Sequence, residues 1–370
     1  MKTRLFLIIF ILLPVRVLWA DEPNGFPIIA DILHTELYDA TRFRDIHKAG
    51  FNACLCRCQT NEDVKKVLEV ARPHGIKLII FSHPIMRHPE SIVPSIKDHP
   101  SMWQYYLADE PTMKRLNELQ DIQQRITKYD KDAKCYINLL PNSTKKVLEA
   151  IGVEKYSDYL QAFNKVKQPQ ISYDFYPVQG KTVRDDKWYP ILEDIRKESL
   201  RTGKPFWAYI MCVPHHVYPM PTMGHLRLQC YVNLAYGAQG IQYFSYSTPA
   251  PTKQYNFHDG PLLRNGKKGK TYNLVKKMNA ELKPVASIFW KSEVTGIEHR
   301  KCVDGEVVVS HIKKGDKHYT CFVNKSAFKN VTVTFNPNHY SLRVRKDLKT
   351  ENVKSTYKLS AGDILIMKDK

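Results

Sequence analysis

Residues 103–111 read Trp-Gln-Tyr-Tyr-Leu-Ala-Asp-Glu-Pro. Apart from Gln104, the first six of these residues are apolar or aromatic, and two carboxylates and a proline follow them at once. A largely apolar run of this length predicts a buried strand over 103–108, and the charged residues place its carboxyl end at a polar site. Because parallel strands covered by helices are apolar on both faces, the run also favours an α/β fold.

Seven other runs of the same kind alternate with amphipathic helical stretches along the chain. The eight predicted strands cover residues 26–33, 51–56, 76–82, 103–108, 134–139, 170–176, 205–211 and 240–246. Thr60 and Asp63 are spaced as a capping box at the start of one predicted helix. Eight strand–helix units predict a (β/α)8 TIM barrel over residues 21–288. A doubly wound open sheet is the alternative, but no Gly-rich phosphate loop follows the first strand.

The pattern changes after the barrel. Short alternating strands are predicted at 306–311, 318–324, 331–335 and 363–367, separated by turns rich in glycine, asparagine and proline. Residues 289–370 are therefore expected to form a small C-terminal antiparallel β domain of the sandwich type.

The first 20 residues have the layout of a cleavable signal peptide. Lys2 and Arg4 give a basic start, residues 5–13 are apolar, and small Ala20 precedes a polar stretch. The apolar run is short for a membrane span, although an uncleaved anchor is the competing interpretation. We expect an exported protein, periplasmic or secreted, with no membrane span once the signal is removed.

The chain is strongly basic, with a formal net charge of +19 spread along its length. A solvated basic surface explains this charge most simply, and an acidic glycan or a membrane surface would also suit it. Nucleic acid binding is not expected, because an exported chain without a recognition motif lacks the features that it requires. The sequence leaves the oligomeric state open.

The eight cysteines do not form the pattern of a disulfide framework. Cys54, Cys56 and Cys58 alternate along the second predicted strand, so they share one face as small buried residues, and their spacing is not that of a zinc site. Cys302 and Cys321 fall on neighbouring predicted strands and could pair. No metal and no cofactor are predicted.

Carboxylates stand where a barrel of this kind has its active site. Such sites lie at the carboxyl ends of the strands, and strand four ends in Asp109 and Glu110. Two neighbouring carboxylates resist ionising together, which raises the pKa of one and suits a general acid. Glu110 is the predicted acid, with Asp109 as a second catalytic candidate. The competing interpretation is that one of them caps the helix that begins near Thr112.

The ends of other strands add further candidates. Asp174, near the end of strand six, is a lone carboxylate among aromatic residues, and its competing role is to pair with a loop arginine or a tyrosine hydroxyl. Aromatic rings suit the apolar faces of sugars. The predicted substrate contacts are Asn138, Tyr176, Trp207, His215, Tyr243 and Tyr246. A metal at His215 and His216 is disfavoured, because adjacent residues point apart on a strand and no carboxylate is suitably spaced.

These motifs resemble a known class of enzymes. Asp109-Glu110-Pro111 resembles the Asn-Glu-Pro that supplies the acid/base in clan A glycoside hydrolases, which are (β/α)8 barrels. Residues 103–111, 172–177 and 236–246 also resemble uncharacterised exported barrel proteins of Bacteroidetes glycan-utilisation loci. The resemblance implies a glycoside hydrolase with Glu110 as acid/base. The sequence departs from clan A at Asp109, which replaces Asn, and on strand seven, which lacks the nucleophilic Glu.

The missing nucleophile leaves several mechanisms open for cleavage of an oligo- or polysaccharide. Asp174 could act as the second carboxylate, since glycosidases need a carboxyl pair. The Asp-Glu pair also resembles that of hexosaminidases, and the Tyr-Asp on strand six resembles chitinase-type barrels. In that mechanism a 2-acetamido group of the substrate, oriented by Asp109 or Asp174, replaces the nucleophile. A non-catalytic carbohydrate-binding barrel and a metal-assisted hydrolase or lyase using His215 or His216 are the other interpretations.

Overall fold

A closed parallel barrel forms the larger part of the protein. The computed structural model describes residues 23–370, so the predicted signal peptide over 1–20 lies outside the described residues. Each barrel strand pairs with its neighbours in chain order, and the eighth pairs with the first. The strands are β1 (Ile28–His34), β2 (Ala53–Cys58), β3 (Lys77–Ser82), β4 (Met102–Asp109), β5 (Cys135–Leu139), β6 (Ile171–Tyr173), β7 (Phe206–Met211) and β8 (Ile241–Phe244). The predicted (β/α)8 barrel is confirmed.

Helices cover the outside of the barrel. They are α1 (Ala40–Lys48), α2 (Asn61–Ala71), α3 (His83–Arg87), α4 (Val93–Ile96), α5 (Met113–Thr127), α6 (Lys145–Ile151), α7 (Tyr156–Lys165), α8 (Asp185–Thr202), α9 (Met223–Ala235) and α10 (Tyr272–Phe289). The predicted capping box starts α2: Thr60 Oγ1 accepts from the Asp63 N–H, and the Asp63 carboxylate accepts from the Thr60 N–H. Gly203, with φ 69°, ends α8 in the left-handed conformation that favours glycine.

A small antiparallel domain follows α10. Its strands are β9 (Glu293–Cys302), β10 (Gly305–Lys314), β11 (Lys317–Asn324), β12 (Val331–Thr334), β13 (Tyr340–Val344), β14 (Thr350–Glu351), β15 (Thr356–Leu359) and β16 (Ile364–Asp369). The sheet β9-β10-β11-β16-β13-β14 turns residues such as Val308 and Val323 towards the barrel core. Val309 and Phe322 on its other face pack with the pair β12–β15. This arrangement confirms the predicted C-terminal antiparallel β domain.

The cysteines are free thiols. Cys54, Cys56 and Cys58 are buried between β2 and the helices, as predicted for small core residues. Cys302 and Cys321 do not pair, because their side chains lie on opposite faces of the large sheet: Cys302 packs with the outer core, whereas Cys321 belongs to the core shared with the barrel.

Within residues 23–370, no helix has both the length and the apolar character that a bilayer span requires.

Candidate active site

A cavity of about 660 Å³ opens at the carboxyl ends of the barrel strands. Its volume falls in the range of small-molecule sites. β1, β4 and β6 each bring a carboxylate to it, and the loops after β6, β7 and β8 supply much of the wall. The predicted site residues that line this cavity are Asp109, Glu110, Asn138, Asp174, Tyr176 and His215.

Glu110 occupies a strained position at the end of β4. Its φ of 44° lies in the left-handed region that non-glycine residues rarely adopt. A hydrogen bond from the Glu110 N–H to the Asn138 carbonyl oxygen, at 2.9 Å, stabilises this backbone conformation. α5 is capped by Thr112, whose side chain accepts from the Arg115 N–H, so neither Asp109 nor Glu110 serves as the helix cap. Backbone strain of this kind concentrates at functional sites.

Glu110 and Asp174 are neighbouring carboxyls that line the cavity, and each affects the pKa of the other. Burial and the charges of Asp174 and Asp109 raise the pKa of Glu110 well above that of an ordinary glutamate. Burial and Asp109 also raise the pKa of Asp174, but hydrogen bonds from Asn138, Glu110 and Tyr176 oppose this rise. Asp174 therefore accepts the hydrogen bond, and Glu110 is the member of the pair that holds the proton.

Asn138 is oriented by polar residues of the barrel interior. Its Oδ1 accepts from Ser172 Oγ at 2.9 Å, and Ser172 Oγ accepts from Gln242 Nε2 at 2.8 Å. The Asn138 Nδ2 is thus left to donate to Asp174 Oδ1 at 2.9 Å and to Asp109 Oδ1 at 3.3 Å. Asn138 therefore orients the two aspartates and keeps no free amide hydrogen for a substrate.

Asp31 and Arg57 line the same cavity, and sequence reasoning missed both. The Asp31 side chain is only 6% exposed. Burial and the charges of Asp109 and Asp174 raise the pKa of Asp31 well above its usual range, while Arg57 opposes this shift. One signal was present in the sequence: Asp31 is a single carboxylate inside the otherwise apolar run 28–33, where a buried charge is costly unless it has a purpose.

Asp31→Asn is expected to raise the free energy of unfolding at pH 8 by about 1 kcal/mol or more. An unfolded aspartate loses its proton near pH 4, whereas folded Asp31 keeps its proton to higher pH. The folded state therefore loses stability as the pH rises through this window, and asparagine removes that loss. Urea unfolding at pH 5 and pH 8 measures the effect. An increase in the free energy of unfolding of the same size at both pH values would contradict the raised pKa of Asp31.

Aromatic side chains form the wall of the cavity after β6, β7 and β8. The His215 ring lies 4.2 Å from that of Phe257 and 4.8 Å from that of Tyr218. Tyr176 packs against Phe244 at 5.7 Å between centroids. His215 also lies 3.1 Å, through Nδ1, from the Val213 carbonyl oxygen. Flat rings beside carboxylates give the cavity both apolar and hydrogen-bonding surfaces, as sugar binding requires.

The placement of Tyr243 and Tyr246 does not support their prediction as substrate contacts. Both are almost fully buried, and their rings meet the edge of Phe51 at 5.2 Å, outside the cavity. Side chains alternate along a strand, and on β8 the residue that lines the cavity is Phe244. Tyr243 lies on the other face of this strand, and Tyr246 comes after the strand has ended.

Trp207 also lies outside the cavity, in a different layer of the barrel interior. It points into the barrel but lies near the amino ends of the strands, where its ring is 5.1 Å from that of Trp103. A Cβ at Gly240 would be 2.6 Å from the Trp207 ring, so that glycine makes room for the indole. On β7 it is Tyr209, two residues further on, that lines the cavity.

Among residues 23–370, no group of three or more histidine, cysteine, aspartate or glutamate side chains is arranged to hold a metal ion. His215 faces the aromatic wall, and the backbone N–H of His216 donates to Asn256.

A (β/α)8 barrel with an acidic, aromatic-walled cavity at the carboxyl ends of its strands is the architecture of a glycoside hydrolase, and comparison with known proteins agrees. The chain belongs to the β-galactosidase family Glyco_hydro_42, whose model matches residues 93–285. The matched segment includes Glu110 and Asp174 but not Asp31 or Arg57. No curated protein sequence matches the chain.

Solved structures that share the fold include two β-galactosidases. The β-galactosidase from Bacillus circulans sp. alkalophilus superposes with a TM-score of 0.63 at 8% identity, covering 94% of this chain and 99% of that one. A catalytic mutant of the GH42 β-galactosidase Gan42B from G. stearothermophilus gives 0.62 at 8% identity, with 93% and 98% covered. At such low identity the likeness concerns the fold alone.

Proposed function

We propose that the protein hydrolyses glycosidic bonds of an oligo- or polysaccharide with Glu110 as the general acid/base. The observation that carries this proposal is the hydrogen-bonded pair of Glu110 and Asp174 in a cavity at the carboxyl ends of the strands. A glutamate that keeps its proton at neutral pH can protonate the leaving oxygen of a glycoside. Glu110 also follows a strand that brings it to the wall of that cavity.

The separation of the two carboxyl groups bears on the role of Asp174. In glycosidases that form a covalent intermediate, the two carboxyl groups stand about 5 to 5.5 Å apart, and inverting enzymes need about 6.5 to 9.5 Å. Glu110 and Asp174 are near enough for a hydrogen bond between them to shift both pKa values, which is closer than either arrangement. The contact therefore favours Asp174 as the partner of the acid over Asp174 as the opposing nucleophile.

A substrate that supplies its own nucleophile fits this arrangement. The carbonyl oxygen of a 2-acetamido group would attack the anomeric carbon while the Glu110 proton passes to the leaving oxygen. Water would then open the cyclic intermediate and return a proton to Glu110. Asp174, with Asn138 and Tyr176 as hydrogen-bond donors, is suited to orient the acetamido N–H. β7 and the residues that follow it as far as His216 contain no carboxylate that could act as the nucleophile in place of the acetamido group.

A β-galactoside is the second candidate substrate, favoured by the description of the family to which the chain belongs. The test is product release from a panel of aryl glycosides and oligosaccharides that includes both β-galactosides and 2-acetamido sugars. We expect release from the 2-acetamido sugars. Release from β-galactosides alone would contradict substrate assistance and return Asp174 to the role of second carboxylate. Binding of a glycan without cleavage would contradict the hydrolytic function.

Export is part of this proposal. It is supported by the first 20 residues, which begin with basic residues, continue as an apolar run and end in the small residue Ala20. An exported hydrolase would meet glycans outside the cytoplasm.

A further inference from the structure

A second cavity, of about 430 Å³, opens beside the active site on the side of β1 to β3. Its volume also falls in the range of small-molecule sites. It is lined by polar and aromatic side chains, among them His34, Gln59, Phe81 and His83. The two cavities have one lining residue in common, Arg57.

Arg57 lines both cavities and is the lining residue that they share. Its carbonyl oxygen accepts hydrogen bonds from the Tyr38 hydroxyl and, at 3.3 Å, from Thr35 Oγ1, which fix its backbone. On the active-site side its charge acts on Asp31 and Asp109. On the other side its guanidinium lies 5.2 Å from the centroid of the Phe81 ring. A ligand in either cavity would therefore meet the same guanidinium.

The second cavity has the surface chemistry of a sugar site. Phe81 is half-buried and is held by edge contacts with Tyr106 at 5.6 Å and His83 at 5.1 Å, so its ring is a fixed apolar surface. Burial lowers the pKa of His34, which leaves a neutral imidazole that can both donate and accept a hydrogen bond. Gln59 is exposed and offers both an amide donor and an acceptor.

We propose that this second cavity is a sugar subsite, and that the substrate is an oligosaccharide that spans both cavities and contacts Arg57 between them. The inference rests on the proposed glycosidase function and adds to it that the enzyme recognises at least two sugar units. It also gives Phe81 and His83, which lie outside the active-site cavity, a role in the choice of chain length.

Binding measurements separate this inference from the catalytic proposal. In a Glu110→Gln background, calorimetric affinities would be compared for mono-, di- and trisaccharides of the chitin and galactan series. We expect affinity to rise about tenfold on extension into the second cavity, and Phe81→Ala to remove this gain without changing monosaccharide affinity. His83→Ala changes an exposed residue and is also expected to reduce the gain in affinity. It therefore tests the subsite even if Phe81→Ala does not fold. Tyr129→Ala, an exposed aromatic beyond the end of α5, is the control.

The outcomes distinguish the two proposals. An affinity independent of chain length, or an equal loss for all lengths in Phe81→Ala, would overturn the subsite alone. Hydrolysis at the wild-type rate by the Glu110→Gln protein would overturn the catalytic assignment and leave the affinity comparison as it stands.

Discussion

Glu110→Gln is expected to fold normally and to lose about 10²- to 10⁴-fold in kcat on a glycoside with a poor leaving group, the range that general acid catalysis typically supplies. Glutamine has nearly the same shape and can still donate a hydrogen bond to Asp174, so the cavity should keep its geometry. It cannot, however, release a proton to the leaving oxygen. The measurement is steady-state hydrolysis of the substrate that the panel identifies.

Two comparisons make this prediction specific. A glycoside with a strongly acidic phenol as leaving group needs little protonation, so Glu110→Gln should impair its first step much less. Glu62→Gln, an exposed change at the start of α2, should leave both substrates unaffected. Turnover of the poor substrate near the wild-type rate would refute Glu110 as the general acid.

The fold followed from the sequence because it depends on repeated signals. Apolar runs, capping residues such as Thr60 and glycines such as Gly203 each specify a local structure, and eight repeats reinforce one another. Asp109, Glu110 and Asp174 were located by the rule that barrel sites lie at the carboxyl ends of strands.

The predicted residues that do not line the cavity are those whose placement depends on three-dimensional detail. Tyr243 and Phe244 are adjacent, and a one-residue difference in phase decides which of them faces the cavity. Trp207 and Tyr209 share a face, but only the packed barrel shows which layer each occupies. Asp31 comes near the other carboxylates only because β1 and β8 close the barrel, a contact that no local pattern encodes.

Asp174→Asn should reveal whether the carboxyl pair works as a unit, because it is expected to change both the rate and its pH dependence. Removal of one preorganised group that stabilises charge in the transition state typically costs about 10² to 10³ in kcat, and we expect a loss of that order here. The negative charge of Asp174 is one cause of the raised pKa of Glu110, so its removal should lower that pKa. The acid form of Glu110 is the active one, so activity falls as pH rises through its pKa, and the alkaline limb of the profile should move to lower pH.

The shift of the alkaline limb is the part of the result that a purely structural role for Asp174 would not produce. Asp158→Asn, an exposed change in the first turn of α7, provides the control for loss of one aspartate charge. Profiles of kcat against pH for the wild type and both variants complete the test. A slower Asp174→Asn enzyme with an unmoved alkaline limb would show that Glu110 holds its proton without Asp174. Burial and the charge of Asp109 would then be the causes that keep the pKa of Glu110 high.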